Sequence, residues 1–518
     1  MDADVGVGGG GGGEAGSLPR RQVYSVFAGL LLAMFVSSLS ETVTATALPT
    51  IVGELGGVEH MQWVATAYIL AATVMMPVYG KLGDLFGRKH LLVVALAVFM
   101  AGSIACGLAM NMPMLIMGRA IEGLGGGGLI ILSQATIADV IPPRQRGKYL
   151  GVIGSVFALA TVVGPLLGGW FVQVTGWRWL FAFNVPLALL AICAVLFFLA
   201  SPAHRAQHPP FDVAGTVCMA TSVGSLVLAT AWGGTLFAWN SPEVLGLFAL
   251  FVLAAVAFTL VERRAQEPII PLFLFRNRNF VLCTVTGLII MLGMMGTTSY
   301  LPTYFQIVVG LLPEQAGLMT APMMVGVVAT GMGAGFLSSK TGRYKWMPVA
   351  CCLVMAVAFA LLSRMTVGTP LPLAGAFLFV LGFGVGLGQQ ILVLVVQNEF
   401  PHAMVGTATA ANNFFRQIGA TLGASLVGAL FTSRLSVDLL ARLPKVDNIN
   451  LNDITPHFVR GLEEPVRSVV VSSYGDALVP LFLYIVPLLL VGAALMSLLA
   501  EHPLATNVNH AGQAGKGA

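Results

Sequence analysis

The chain has 518 residues, 57% of them hydrophobic and 9% charged, with a formal net charge of +4. A soluble domain carries about 25% charge, so this composition cannot cover a water-facing surface, and lipid must be the solvent. Six cysteines (Cys106, Cys193, Cys218, Cys283, Cys351, Cys352) fall inside apolar runs without CxxC spacing, which argues against a disulfide framework or a metal module.

Residues 1–22 hold a glycine run and read as a disordered cytoplasmic tail. A spanning helix needs about 20 apolar residues. Apolar runs of that order lie near 23–52, 61–82, 89–110, 113–139, 147–174, 179–200, 211–232 and 243–262. A second series lies near 279–309, 316–337, 346–365, 371–396, 403–433 and 477–500, which makes fourteen spans. With the N-terminus inside, seventeen Lys and Arg fall on the cytoplasmic side and seven outside. That asymmetry is the positive-inside pattern and places both termini in the cytoplasm. Arg119 and Arg416 are the two basic residues left inside spans.

A polar hinge punctuates the apolar runs at Gly80-Lys-Leu-Gly-Asp-Leu-Phe-Gly-Arg-Lys-His90 and again at Gly335-Phe-Leu-Ser-Ser-Lys-Thr-Gly-Arg-Tyr-Lys345. Each copy has Gly-x-Leu and then a Gly-Arg pair, Gly87-Arg88 and Gly342-Arg343. Each joins the second and third span of a six-span unit, the mark of a duplicated membrane protein. The predicted fold is therefore all-α and polytopic. It has a six-helix bundle over 23–200, a linker with two inserted spans over 201–276, a second bundle over 277–500 and a disordered tail over 501–518. Residues 434–476 read as a polar external loop, in which Pro456–Tyr474 is either an amphipathic helix or a solvated loop.

Gly80, Leu82, Asp84, Gly87, Arg88 and Lys89 resemble the loop signature of the major facilitator superfamily. The resemblance implies a cytoplasmic gate in which Asp84 and Arg88 latch onto Asp139 at the end of span 4. Gly151, Gly164, Pro165, Gly168 and Gly169 in span 5 resemble the antiporter signature of the drug-efflux branch, with Ala160 where that branch has Gly. Trp177–Phe181, Leu301–Gln306 and Gly406–Gln417 resemble the fourteen-span drug:proton antiporters. Those relatives commonly carry Asp at the position of Ser40 and often Gln at that of Glu122. Here the span-1 carboxylate is Glu41, about 100° further round the helix.

Ionisable side chains inside the bilayer are costly and are functional candidates by default. Glu41, Arg119 and Glu122 form the candidate proton-coupling and substrate pocket. Arg119 matches the arginine that the superfamily associates with proton transfer. Glu122 lies one turn on, on the same helix face, and reads either as a neutralised ion pair or as a proton site. Gln306, Asn412 and Arg416 are candidates for pocket or gating roles, with Arg416 read as packing and gating. There is no Walker pattern, no enzyme constellation, no metal cluster and no nucleic-acid signature, so the proton gradient is the expected energy source. The resemblance implies a proton-coupled exporter of amphipathic drugs, functional as a monomer in a bacterial inner membrane. Two alternatives stay open: an exporter of one lipid or self-made natural product, and a non-transporting membrane scaffold.

Overall fold

A computed structural model describes residues 20–57, 60–199, 211–234, 236–442 and 456–504. Most of the two expected tails lies outside these residues. The first bundle comprises α1 (Arg20–Leu55), α2 (Met61–Phe86), α3 (Arg88–Gly107), α4 (Met112–Val140), α5 (Pro143–Val174) and α6 (Arg178–Phe198). The inserted pair is α7 (Val213–Trp232) and α8 (Pro242–Glu262). The second bundle runs through α9 (Arg278–Thr298), α10 (Leu301–Ile307), α11 (Pro313–Leu318), α12 (Ala321–Thr341), α13 (Trp346–Leu362), α14 (Leu371–Glu399) and α15 (Val405–Arg442). It ends with α16 (Pro456–Arg460), α17 (Val466–Leu478) and α18 (Leu481–Ser497). Thirteen segments among the described residues are long and apolar enough to cross a membrane, and α13 is a shorter apolar helix. Together they account for the fourteen expected spans.

Local chemistry sets the helix starts. Asn111, Asp212, Ser241 and Asn277 cap α4, α7, α8 and α9 by accepting the amides of Met114, Gly215, Val244 and Phe280. Gly87, at φ +88°, makes the reversal between α2 and α3, a backbone region that side chains avoid. The ninth span is broken into α9 and α10, with Pro302, which has no amide to donate, in the first turn of α10. The polar loop expected over 434–476 is partly helical. Helix α15 runs on to Arg442, which pairs with Asp438 (3.7 Å) and Asp476 (2.8 Å). Pro456–Tyr474, read as either an amphipathic helix or a solvated loop, holds α16 and the start of α17 with a turn between them.

Small residues let the helices approach closely, the usual packing device in lipid. On α4, a Cβ at Gly125 would collide with the backbone of Ala95 and Phe99 on α3. The two bundles meet mainly along α2 with α15 and α5 with α12, and also where α14 touches α5 and α15 touches α4. Helix α7 packs on α2 and α15, with Trp63 and Trp232 edge to face at 5.9 Å. Helix α8 packs on α7 and turns Leu245, Val252, Leu253, Val256 and Leu260 outward. Replacing Gly125 with Val is expected to destabilise the chain by about 1–3 kcal/mol through overpacking. Gly246→Ala, where a Cβ meets nothing within 4 Å, is expected to raise stability by about 0.5–1 kcal/mol through helix propensity. Thermal unfolding of the purified protein in detergent checks both.

Candidate functional site: a buried charge cluster and a latched gate

Five helices of the first bundle converge on the Arg119–Glu122 pair. Its Oε2 pairs with Arg119 at 2.6 Å, and both side chains are 1% exposed or less. Its Oε1 accepts from Ser40 of α1 (2.7 Å), Ser103 of α3 (2.6 Å) and Asn184 of α6 (3.3 Å). Arg119 also donates to Ser40 (3.1 Å) and to the Val64 carbonyl of α2 (3.3 Å). Its guanidinium lies 4.3 Å from the Tyr68 ring centroid. Tyr68 is held by Ser37 at 3.0 Å. A buried ion pair is tolerated when further hydrogen bonds support it; here both Glu122 oxygens have partners and Arg119 has two besides the carboxylate. Ser40 and Glu122 stand where the resembling antiporters carry Asp and Gln. The two touch, Ser40 donating to the Glu122 carboxylate at 2.7 Å.

Glu41 lies next to this cluster without joining it. It is half-buried, and Arg119 acts on its charge. Among the described residues its carboxylate makes no hydrogen bond or ion pair. One residue further on, Thr42 donates to the Ala160 carbonyl of α5 at 3.0 Å. Beyond it Ala45, Thr46, Pro49 and Thr50 are exposed. The sequence places Glu41, Arg119 and Glu122 in one pocket. The structure brings them together as one free carboxylate and one saturated pair.

The residues expected to form a gate gather at the end of the molecule that holds the α2–α3 turn, hereafter the hinge end. Asp84 accepts the backbone amides of Gly406 (3.1 Å) and Thr407 (2.7 Å) and the Thr407 hydroxyl (2.8 Å). A carboxylate from the first bundle thus caps the N-terminus of α15 in the second, where free amides and the helix dipole favour an anion. Arg88 holds Asp84 from its own bundle at 2.8 Å and also pairs with Asp139. Asp139 meets His402 across the interface at 3.0 Å. Gly80 makes the approach feasible, since a Cβ there would overlap Ala410 and Gly406. At the second hinge Ser339, the counterpart of Asp84, accepts only the Lys148 amide of α5 at 3.1 Å. Gly342 ends α12 at φ +73°. Arg343 is exposed and forms no side-chain hydrogen bond or ion pair among the described residues.

The antiporter-type glycines of α5 divide between two faces. Gly151 abuts the backbone of Gly331 on α12, in the other bundle. Gly164 and Gly168 abut Thr42 and Thr46 on α1. Pro165 is exposed within the unbroken helix, and Gly169 faces open space. Of the remaining candidates, Asn412 is buried and donates to Thr284 (3.2 Å). Arg416 is buried with one side-chain partner, the Asn413 oxygen at 3.2 Å, and Asn413 donates across the interface to Gln134 at 3.0 Å. Gln306 is half-buried and bonds its own helix.

One gate residue is absent from the sequence reading. Arg146 is fully buried and donates to the carbonyls of Ala138 (2.7 Å), Ile141 (2.9 Å) and, in the other bundle, Gln397 (3.4 Å). It places one positive charge on the C-terminal carbonyls of α4 and α14, where the helix dipoles favour it. Its signal was available: a basic residue just past the end of a span, after Pro142-Pro143. As one of seventeen inside charges it reads as a topology signal alone.

Two helical bundles with buried charges, joined by polar ties at one end, define a polytopic membrane transporter. The family model for the Major Facilitator Superfamily matches residues 30–424, and the chain belongs to that superfamily. It is 39% identical over 427 residues to the multidrug transporter protein MdtP of Bacillus subtilis, covering 82% of this chain and 78% of that protein. It is 32% identical over 496 residues to multidrug resistance protein 3 of the same organism, covering 92% and 96%. Among solved structures, the proton:xylose symporter XylE shares the fold at a TM-score of 0.63 and 15% identity, covering 95% of this chain and 98% of that one.

Two outcomes follow from these contacts. Glu122→Gln leaves Arg119 buried without its counter-charge and is expected to cost about 3–5 kcal/mol, read as a lowered unfolding temperature. Asp84→Asn keeps an acceptor but loses the charge. It should slow transport roughly tenfold while substrate affinity, measured by ligand-induced fluorescence quenching, stays within twofold. A selective loss of affinity would contradict the division between gate and pocket.

Proposed function

We propose that the protein is a proton-coupled antiporter that exports amphipathic or hydrophobic compounds across the bacterial inner membrane, with the hinge end and both termini in the cytoplasm. The observation that carries the proposal is Glu41, an unpartnered, half-buried carboxylate on a span, beside an ion pair that is already satisfied. Such a carboxylate has no hydrogen-bond or ion-pair partner among the described residues to lose on taking a proton. The saturated Arg119–Glu122 pair supplies a fixed local field that the Glu41 proton feels. The antiporter-like glycines of α5 and the naming of two relatives for multidrug transport and resistance support the choice of cargo.

The cycle follows from this arrangement. With the hinge end latched, Glu41 takes a proton from the outside. Unlatching turns the pocket to the cytoplasm, where an amphipathic compound enters and the proton leaves. The cargo then moves outward as the latch re-forms. Glu41→Gln should abolish substrate-induced proton release from reconstituted vesicles and reduce gradient-driven efflux at least tenfold, while exchange without a gradient persists. Wild-type efflux and proton release in both Glu41→Gln and Glu122→Gln would refute carboxylate coupling.

A further inference from the structure

Lys81 lies one turn before Asp84 on α2, inside the hinge signature, but its partner belongs to neither bundle. Its Nζ meets Glu267 Oε2 at 2.5 Å, and the lysine side chain is 8% exposed. Glu267 opens the sequence Glu267-Pro-Ile-Ile-Pro271, which carries the chain from the inserted pair to the second bundle. This segment is fastened at three further points. Glu262, at the end of α8, accepts the amides of Ile269 (3.0 Å) and Ile270 (3.3 Å). Phe275, in the 3-10 turn Leu272–Arg276, meets Phe415 of α15 edge to face at 5.7 Å. Asn277 and Asn279 donate to Glu399 at the end of α14, at 3.2 and 2.7 Å.

The segment therefore crosses from the first bundle to the second at the hinge end, gripped on both sides. It has little slack, because Pro268 and Pro271 fix two backbone angles and the next five residues are wound into the 3-10 turn. If the bundles separate there, the crossing must lengthen or one grip must release. The contacts to α8, α14 and α15 lie within tightly packed units. The Lys81–Glu267 pair is a single ionic contact, and the glutamate is 35% exposed to water that can receive it. It is the grip that can yield.

We infer that the segment after the inserted pair is a moving part of the hinge-end gate, and that Lys81 and Glu267 are its positioning residues: their ion pair holds the closed state and parts at each opening. Successive turns of α2 then carry two separate ties, Asp84 to α15 and Lys81 to the crossing segment. This gives the inserted spans a role, since α7 and α8 hold the segment in place against α2. The inference rests on the alternating-access reading but not on any cargo or proton.

Hydrogen–deuterium exchange on the purified full chain in detergent, without substrate, tests it. Lys81→Gln and Glu267→Gln should each speed exchange of the first turns of α15, residues 405–410, by roughly tenfold, the effect of losing one charge-assisted bond. Exchange within α3 and α13 should not change. The swapped pair Lys81→Glu with Glu267→Lys should restore the slow rate. Lys81→Arg, which keeps the charge, should protect residues 405–410 even if the neutral variants fold poorly. Faster exchange confined to residues 263–271, with 405–410 unchanged, would show a mere tether and overturn the inference. So would a swapped pair as open as the single variants. No substrate is present, so failure of the export reading would leave this result standing.

Discussion

The closed state depends on one carboxylate reaching across a bundle interface. Asp84 is nearly dry and is met on both sides, by Arg88 from its own bundle and by the first amides of α15 from the other. A charge this far from water must be satisfied wherever it is. Separation of the bundles at this end would take away its three hydrogen bonds to Gly406 and Thr407 at once. Arg146 poses the complementary demand, a buried cation served by carbonyls of both bundles. The hinge end is thus held by an anion on helix N-terminal amides and a cation on helix C-terminal carbonyls. Both are contacts with backbone, whose groups cannot turn away as side chains do.

The two bundles divide polarity unevenly. The first holds Arg119, Glu122 and Glu41 within a few turns of one another. The second places neutral amides and the lone Arg416 at its interface. The duplicated architecture therefore carries a specialised first half and a simpler second half, as the hinges show: Asp84 makes three bonds across the interface, Ser339 one.

The fold was legible from hydropathy and charge because lipid leaves a spanning chain little choice but helix. Fourteen spans and the repeated hinge follow from that constraint, and the structure has both. The region from Arg434 onward was misread because Arg434, Arg442 and Asp476 look like loop residues by polarity, while pairing and stacking keep them on helices. At the site, the residue types of Glu41, Arg119 and Glu122 were enough to single them out. Which of them is satisfied was not legible, because Ser103 and Asn184 come from distant helices and carry no signal of their own. Arg146 and Lys81 were hidden for another reason: basic residues at span ends already have an explanation in topology.

The neutral second hinge bears on how the molecule opens. On the α5–α12 side the two bundles meet through small residues, with Gly147 against Gly335 and Gly151 against Gly331, and through Ser338 and Ser339. The one charge of α5 that reaches across, Arg146, rests on the neutral carbonyl of Gln397 in α14. The α2–α15 side carries the Asp84 cap and lies next to the Lys81 grip. Any parting of the bundles at this end therefore meets glycine-lined contact along α5 and α12 and charged ties along α2, where the inserted pair packs.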